Sequence, residues 1–381
     1  MTQISRLATI GLAKEVTPGT WLAPTIGVPF TKGDFEDMFT ELKDESVRGN
    51  DTVLQGMYQG VVHAEWSIDV MAYPDLIGHF LAGIIGPDTV TPGVSTTLSS
   101  STIVGATSIS TAATIPVGSI IAIDTGTKLE YATTGTPTGS GPYTIPITVP
   151  ATGLTQAHSS SVTVVSQTAH LFKQSTTPLP TYSLTIYDTT QTLSCSYCRL
   201  SDLQMKIDPK GAVSLALKYV SFPSVVQSPQ TQSFSTYDPL LGWSWNMTNA
   251  GGTSTRGLSF DATVKRATEA IASSDGTQSP REVFAGPIEV DGTYKAIFEN
   301  QADMNLYLQY TQTAATAALA QPVPRGGQSL SITMSKSGWF KGKRDFGSAY
   351  VQGDFSLSGI YNTTDGGAVQ ATLKNFQSAA Y

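Results

Sequence analysis

The chain has 381 residues, a net charge of −7 and only 13% charged residues. This length allows two or three domains with hydrophobic cores of their own. Abundant Ser, Thr and Gly predict many strands joined by polar turns. The acidic balance argues against a nucleic-acid-binding protein, which usually carries a basic stripe.

No targeting or membrane segment is predicted. Residues 1–11 lack the basic region and apolar run of a signal peptide, and no stretch of about 20 apolar residues is present. We therefore expect a protein that is made and assembled in a cytoplasm and has no membrane partner.

The first clear elements are a strand followed by a short helix. Residues 61–71 alternate between apolar and polar side chains, as in a strand with one buried face. The period then changes, because the apolar residues between Leu76 and Ile85 share one helix face. Pro74 and Asp75 suit the first turn of this helix, and Gly86-Pro87 is a stop signal.

Residues 91–169 differ in composition from the rest of the chain. They hold 31 Ser or Thr residues and only three charged ones, which would also suit a flexible linker. However, short β-prone segments recur between Gly and Pro residues. A small all-β domain inserted into an exposed loop is the better interpretation.

A hairpin is predicted after the insertion. Residues 203–207 and 213–219 each carry one apolar face, and the intervening Asp208-Pro209-Lys210-Gly211 favours a type I turn.

The second half of the chain repeats the first. Residues 288–298 alternate as residues 61–71 do, and a helix that Asn300 can cap is predicted next. Both strands follow an aromatic-x-Gly step, at residues 58–60 and 284–286. We predict a mainly β chain of duplicated domains, each with a short flanking helix. The expected domains are residues 1–90 with 170–232, an inserted domain at 91–169, and residues 233–381.

The sequence offers no motif for catalysis, metal binding or cofactor binding. Cys195 and Cys198 are spaced like redox or zinc ligands, but a second pair is absent and a strand would point them to opposite faces. The four histidines are scattered, and nucleophile-elbow and phosphate-loop motifs are missing. We expect neither an enzyme nor a bound cofactor or metal.

The order of these elements resembles the tail tube proteins of long, non-contractile bacteriophage tails. The resemblance covers about 210 residues and depends on order and spacing more than on any sharp motif. It is carried by residues 11–19 (Gly-Leu-Ala-Lys-Glu-Val-Thr-Pro-Gly), 21–24, the charged stretch 32–51, the strand and helix ending at Gly86, and residues 170–172, 180–186 and 203–219. Residues 117–124, 130–131 and 157–158 of the insertion are similar to a small β module of phage virion proteins.

The resemblance implies a β-sandwich whose sheets join edge to edge into rings, with the rings stacked into a tube. A closed barrel would remove exposed strand edges, and DNA would pass through an acidic lumen without specific binding. Because this family usually presents six domain copies per ring, a duplicated chain predicts trimers with pseudo-sixfold symmetry. The alternative is a hexamer. Implied partners are other copies of the chain, a tape-measure protein and tail-end proteins.

The resemblance also suggests assembly residues. Residues 32–51 would reach the neighbouring ring, although a solvated charged loop is the simpler interpretation. An N-terminal arm, residues 1–29, would dock on a neighbouring subunit through Trp21 and Leu22, unless it is a frayed end. The candidate inter-ring residues are Asp34, Glu36, Asp37, Glu41, Asp44, Glu45 and Arg48, with Lys341, Lys343 and Arg344 as basic partners. The candidate lumen residues are Glu65, Asp69, Glu289 and Asp291.

Two other functions fit parts of the sequence. A β-rich surface adhesin or receptor-binding virion protein would share the Ser/Thr-rich middle, but it would stay a discrete oligomer. A β-rich hydrolase would need a pocket with converging carboxylates.

Overall fold

A computed structural model describes residues 4–149, 152–250 and 252–381, and it confirms a mainly β chain. None of the helices in these residues is long and apolar enough to cross a bilayer. The chain begins with β1 (Thr9–Lys14), β2 (Ile26–Val28), β3 (Phe30–Asp44), β4 (Gly56–Met71), α1 (Ile77–Ile84) and β5 (Asp88–Thr91).

Two further groups of strands complete the first half. Six short strands come first: β6 (Ser95–Thr97), β7 (Ser108–Thr111), β8 (Ile120–Ile123), β9 (Glu130–Thr134), β10 (Tyr143–Thr148) and β11 (Thr163–Ser166). They are followed by β12 (Thr168–Lys173), β13 (Tyr182–Tyr187), β14 (Thr192–Ile207), β15 (Ser214–Ser221) and β16 (Val225–Gln227).

In the described part of the second half there are eight strands and one α-helix. In chain order they are β17 (Trp245–Asn249), β18 (Gly252–Ser254), β19 (Gly257–Ile271), β20 (Glu282–Ile297), α2 (Ala302–Leu308), β21 (Thr313–Ala320), β22 (Ser329–Asp345), β23 (Gln352–Gly359) and β24 (Gln370–Asn375).

Eight of the longer strands form one continuous antiparallel sheet. Their order is β3-β4-β15-β14-β19-β20-β23-β22. The first four strands come from the first half, and the last four repeat their arrangement in the second half. The two four-stranded units meet at the β14–β19 pairing, where Asp202 lies opposite Lys265 and Lys206 lies opposite Asp261.

The repetition extends to the irregularities of the strands. The β3–β4 pairing shifts register between Phe39 and Glu41, and the β19–β20 pairing shifts at the matching place, between Arg266 and Thr268. A second shift near the start of each hairpin also matches. Because a bulge bends and twists its strand, the two long hairpins share one shape.

A second layer of strands covers the apolar face of this sheet. β14 and β22 each extend into it at their N-terminal ends, where they pair with β13 and β21. The hairpins β1–β2 and β17–β18 extend the two parts of the layer. β12 joins β5 to β24, so strand pairing crosses the expected boundary between residues 232 and 233. Large buried side chains between the layers are Trp66, Phe80, Tyr219, Tyr294, Trp339 and Phe355.

The N-terminal segment is part of the fold of its own chain. β1 pairs with both β2 and β13, and Ile10 and Leu12 are fully buried. The expectation of an extended arm over residues 1–29 is therefore wrong for residues 9–14. Residues 1–3 of that arm lie outside the described part of the chain.

The local predictions that rested on turn chemistry are confirmed. The Gly211 amide donates to the Asp208 carbonyl at 3.1 Å, which closes the β14–β15 turn. The Asn300 side chain accepts a hydrogen bond from the Ala302 amide at 2.9 Å at the start of α2. Along this helix Met304 and Leu306 are buried, whereas Leu308 is exposed.

Residues 95–166 form a separate six-stranded sheet with its own apolar core. The strand order is β6-β11-β8-β9-β10-β7, and a bridge between Leu98 and Thr111 closes the sheet on itself. This unit packs against the second half: the rings of Tyr131 and Phe376 lie 5.5 Å apart, and Gln167 Nε2 donates to the Gly326 carbonyl at 2.8 Å.

Candidate assembly surfaces

The eight-stranded sheet ends in two strands that are paired on one side only. Within the described residues β3 pairs with β4 alone, and residues 338–345 of β22 pair with β23 alone. An edge strand carries unpaired backbone N–H and C=O groups and is a template for another chain. The chain therefore presents two open strand edges at opposite ends of one sheet.

The predicted acidic contact residues lie mostly on edge strand β3. Asp34 and Glu36 are exposed, whereas Asp37 points to the other face of the strand. There Asp37 accepts hydrogen bonds from the amide and hydroxyl of Ser224, at 2.9 and 2.6 Å. The simpler interpretation of residues 32–51 as a solvated charged loop is wrong for residues 32–44, because β-pairing with β4 holds them in a long hairpin.

The remaining acidic candidates lie towards the tip of the β3–β4 hairpin. Arg48 contacts the Asp44 carboxylate and donates from Nε to Ser46 Oγ at 3.0 Å. Glu41 forms an exposed ion pair with Lys43 at 3.3 Å. Glu45 is also exposed, so the tip presents both signs of charge to solvent.

The basic candidates lie on the opposite edge of the sheet. Lys341 and Lys343 are exposed and are paired with residues of β23. The guanidinium of Arg344 lies 4.9 Å from the centre of the Phe298 ring, a distance that favours cation–π attraction. Within one chain the structure does not bring the acidic and basic clusters together.

The four candidate lumen residues share one face of the eight-stranded sheet. Glu65 and Asp69 alternate along β4 with buried Ala64, Trp66 and Ile68. Glu289 and Asp291 alternate with buried residues in the same way along β20. The cross-strand pairings continue this polar face through every strand, with Lys32, Asp34, Glu36, Asp202, Lys206, Lys218, Asp261, Lys265, Lys295, Lys341, Lys343 and Asp354.

Exposed apolar side chains cluster next to the same two edges. Phe39 on β3 is 53% exposed. At the other edge Phe340 is 56% exposed, and Leu308 and Tyr310 at the end of α2 are 61% and 79% exposed. Grouped apolar exposure of this kind marks an interaction surface.

A buried carboxylate shapes the segment that contains Trp21 and Leu22. Glu15 accepts hydrogen bonds from the Gly19 amide at 2.8 Å and from the Tyr197 amide at 2.8 Å. It also accepts from the hydroxyls of Thr181 and Ser183, at 2.6 and 3.0 Å. Leu22 beyond this turn is exposed and Trp21 is half-buried.

An arginine joins the two halves at their internal junction. Arg266 of β19 donates from Nε to the Ile84 carbonyl at 2.6 Å and from Nη2 to the Ile85 carbonyl at 3.1 Å. These carbonyls lie at the C-terminal end of α1, where a cation is favourable. Burial, and to a lesser extent the neighbouring Arg199, lowers the pKa of Arg266 to about 10.

The cysteines are placed as core residues. Cys195 and Cys198 are both buried and are not joined by a disulfide, and burial raises the pKa of the Cys195 thiol to about 12. A thiol in this state is a poor nucleophile and metal ligand. Across the described residues, no group of three or more His, Cys, Asp and Glu side chains is arranged to hold a metal ion.

A buried histidine in the inserted domain sits between two carboxylates. His158 Nδ1 lies 3.1 Å from Asp124 Oδ2, and its Nε2 lies 2.9 Å from Glu130 Oε2. The hydrogen bond from His158 is the main cause that lowers the pKa of Asp124. Burial raises the pKa of Glu130, but hydrogen bonds from Thr155, His158 and Gln156 outweigh it and lower the pKa overall. The arrangement cross-links the domain internally.

We expect Asp124→Asn with Glu130→Gln to weaken the inserted domain in a pH-dependent way. A carboxyl group whose pKa is lowered by folding stabilises the fold at pH values above its ordinary pKa, which is 3.8 for Asp124 and 4.5 for Glu130. This stabilisation is lost as the pH falls through the lower pKa values of the folded state. Thermal unfolding should therefore show a gap between wild type and variant at pH 6 that closes below about pH 4. A gap that stays constant from pH 6 to pH 3 would contradict this.

The sequence reading missed the two sheet edges and the apolar clusters beside them. The aromatic-x-Gly steps could have indicated these edges, because Gly60 and Gly286 lie at the matching bulges of the β3–β4 and β19–β20 hairpins. A Cβ there would lie 3.0 Å from the Thr40 carbonyl oxygen and 2.7 Å from that of Ala267, respectively. Aligning the halves on these glycines makes β3 equivalent to β19 and β14 equivalent to β22, which leaves β3 and β22 as the two outer edges of the sheet.

A mainly β chain whose sheet ends in two open edges, one acidic and one basic, has the features of a self-associating structural protein. The family model for phage tail tube proteins matches residues 5–374. The chain belongs to this family: it is a structural component of the phage virion tail that assembles with other copies of itself into the tail tube. The family is a structural one and not a known enzyme family. The search of curated proteins gives no match to this chain.

Proposed function

We propose that three copies of this chain close into a ring and that stacked rings form a conduit for DNA during ejection. The observation that carries the proposal is the internal junction: two equivalent four-stranded units already join edge to edge at β14–β19, and equivalent edges remain open at β3 and β22. Three chains with eight strands each would close a barrel of about 24 strands and leave no edge exposed.

The polar face of the eight-stranded sheet would line the lumen. The apolar face of this sheet is covered by the second layer, so the face that bears Glu65, Asp69, Glu289 and Asp291 is the one available to a channel. Carboxylates there would repel the phosphates of passing DNA, while interspersed lysines limit the field. This arrangement favours passage without specific binding.

Contacts between rings and with other tail proteins are also proposed. The exposed hairpin tip with Asp44, Glu45 and Arg48 would contact the next ring, and the segment with Trp21 and Leu22 would dock on a neighbouring subunit. Leu22 is exposed and Trp21 is half-buried in the single chain, so both side chains have surface available to a partner subunit. The tape-measure and tail-end proteins would bind the same kinds of surface at the ends of the tube.

Negative-stain electron microscopy of the concentrated protein, or of tails from virions, tests this proposal. We expect hollow tubes whose end-on averages show three repeats of the inserted domain around a sixfold-like wall. Six inserted domains per ring would show a hexamer instead. Small closed oligomers under every salt condition, with no tube in virions, would favour the adhesin.

A further inference from the structure

The internal junction provides a template for the contact between two chains. β14 and β22 occupy equivalent positions in the two units, and each shifts register once against its hairpin partner: between Leu200 and Asp202 in β14, and between Trp339 and Lys341 in β22. Matching these shifts makes Asp202 equivalent to Lys341 and Gln204 equivalent to Lys343. Register is a strong constraint, because a one-residue slip turns every side chain to the other face.

The partner strand is matched in the same way. The shift between Phe39 and Glu41 in β3 corresponds to the shift between Arg266 and Thr268 in β19. Glu36 is therefore equivalent to Thr263, and Phe39 is equivalent to Arg266. In the internal junction Gln204 lies opposite Thr263.

We propose that β22 of one chain pairs antiparallel with β3 of a second copy, with Lys343 opposite Glu36 and Lys341 opposite Met38. This inference rests on the proposed ring and specifies the residues of its lateral joint. In this register the acidic and basic clusters contact each other within one ring. Lys343 and Glu36 then form a direct cross-strand pair of opposite charges.

The charges of the two edges agree with this register. The facing side chains are Lys32, Asp34 and Glu36 on β3 and Lys341, Lys343 and Asp345 on β22. Their charges sum to zero, and Lys343 opposes Glu36 as Lys206 opposes Asp261 inside the chain. Asp345 would face Asp34, but Lys32 and Lys343 lie diagonally next to this pair. Opposite charges directly across two strands are favourable and like charges are not.

The exposed apolar residues agree as well. Inside the chain Arg266 of β19 reaches the C-terminal end of α1, whose Ile84 and Ile85 are fully buried. The equivalent of Arg266 is exposed Phe39, and the equivalent helix end carries exposed Leu308 and Tyr310. The hydrogen bonds that Arg266 donates to carbonyls inside one chain thus correspond to an apolar contact of Phe39 between two chains.

The bulge residue of β22 completes the apolar part of the joint. Ser201 is the bulge residue of β14, and it lines a groove with Arg266, Ala267 and Thr268. Its equivalent is Phe340, which is largely exposed. Phe39 of a second copy would therefore pack beside Phe340, Leu308 and Tyr310, and exposed apolar surface at both edges would be buried together.

Paired cysteines test the register. We expect the variant with Glu36→Cys and Lys343→Cys to form disulfide-linked chains on mild oxidation of assembled tubes or virions, with a ladder that ends at trimers. Directly opposed Cβ atoms lie about 4.5–5.5 Å apart, within reach of a short thiol cross-linker. Within one chain the two positions are seven strand spacings of about 4.8 Å apart, so an internal bond is excluded. The native cysteines are buried.

A register control uses the same β22 position. Lys32→Cys with Lys343→Cys displaces the thiols by four residues, or about 13 Å along the strand, and should cross-link at least 10-fold more slowly. If tubes form normally but the control pair cross-links, or neither pair cross-links, the proposed β22–β3 register is wrong while the proposed tube still stands. Absence of tubes and of links in purified protein and in virions would overturn both.

A charge exchange provides a second measurement that needs no cysteine. Glu36→Lys and Lys343→Glu should each weaken the lateral association constant by roughly 3- to 10-fold, and the double exchange should restore it. The loss should shrink at high salt. Equal effects of the single and double variants would show that the two side chains do not meet.

Discussion

The variant Phe340→Glu is expected to fold normally but to lose tube formation. Phe340 is exposed in the single chain, so the substitution should change the free energy of unfolding by less than about 0.5 kcal/mol. In the proposed joint it would place a charge among Phe39, Leu308 and Tyr310. Losing the burial of a Phe side chain alone costs about 2 kcal/mol, which corresponds to roughly 30-fold weaker association at each joint.

Sedimentation of assembled protein against concentration, together with a thermal unfolding curve, measures both effects. Ile103→Glu is the matched control, because Ile103 is an exposed apolar residue of the inserted domain, away from both sheet edges. The control should assemble as wild type does. Wild-type assembly of Phe340→Glu at the same protein concentration would show that Phe340 lies outside the joint.

The variant Glu15→Ala is expected to lower the free energy of unfolding by about 3–5 kcal/mol. Its carboxylate is buried and accepts hydrogen bonds from four donors. They are the Gly19 amide in the turn after β1, the Tyr197 amide of β14, the Ser183 hydroxyl of β13 and the hydroxyl of Thr181, which directly precedes β13. Removing the acceptor leaves several donors unsatisfied, each at a cost of about 1–3 kcal/mol if no water replaces it.

Denaturant unfolding followed by tryptophan fluorescence provides the measurement. Val16→Ala at the exposed neighbouring position should unfold within about 0.5 kcal/mol of wild type. A loss below about 1 kcal/mol for Glu15→Ala would mean that the turn reorganises or that water satisfies the four donors.

Sequence patterns predicted the local elements better than the connections between them. The alternation over residues 61–71, the helix ending before Gly86 and the Asp208–Gly211 turn depend on neighbouring residues, and the structure confirms them. These signals are local because strand alternation, helix caps and turn chemistry act within a few residues. The family was also recognisable from their order.

The edges and the N-terminal strand could not be obtained from the same signals. Strand β1 has no clear apolar period because four successive residues are buried, from Ile10 to Ala13. The charged stretch of β3 reads as a loop because most residues on both faces of this edge strand are exposed in a single chain, so no apolar alternation is visible. Which strands lie at an edge depends on pairings between residues far apart in sequence, such as β14 with β19.

The fusion of two equivalent units in one chain changes how a ring would reach its final size. In a ring of three, every second joint is the β14–β19 pairing, which forms during folding and does not depend on protein concentration. Only three joints then remain to be made by collision, and ring closure loses the translational freedom of two partners instead of five. Because each such loss costs on the order of 4–15 kcal/mol, gene duplication here would lower the nucleation barrier of the tube without any stronger contact.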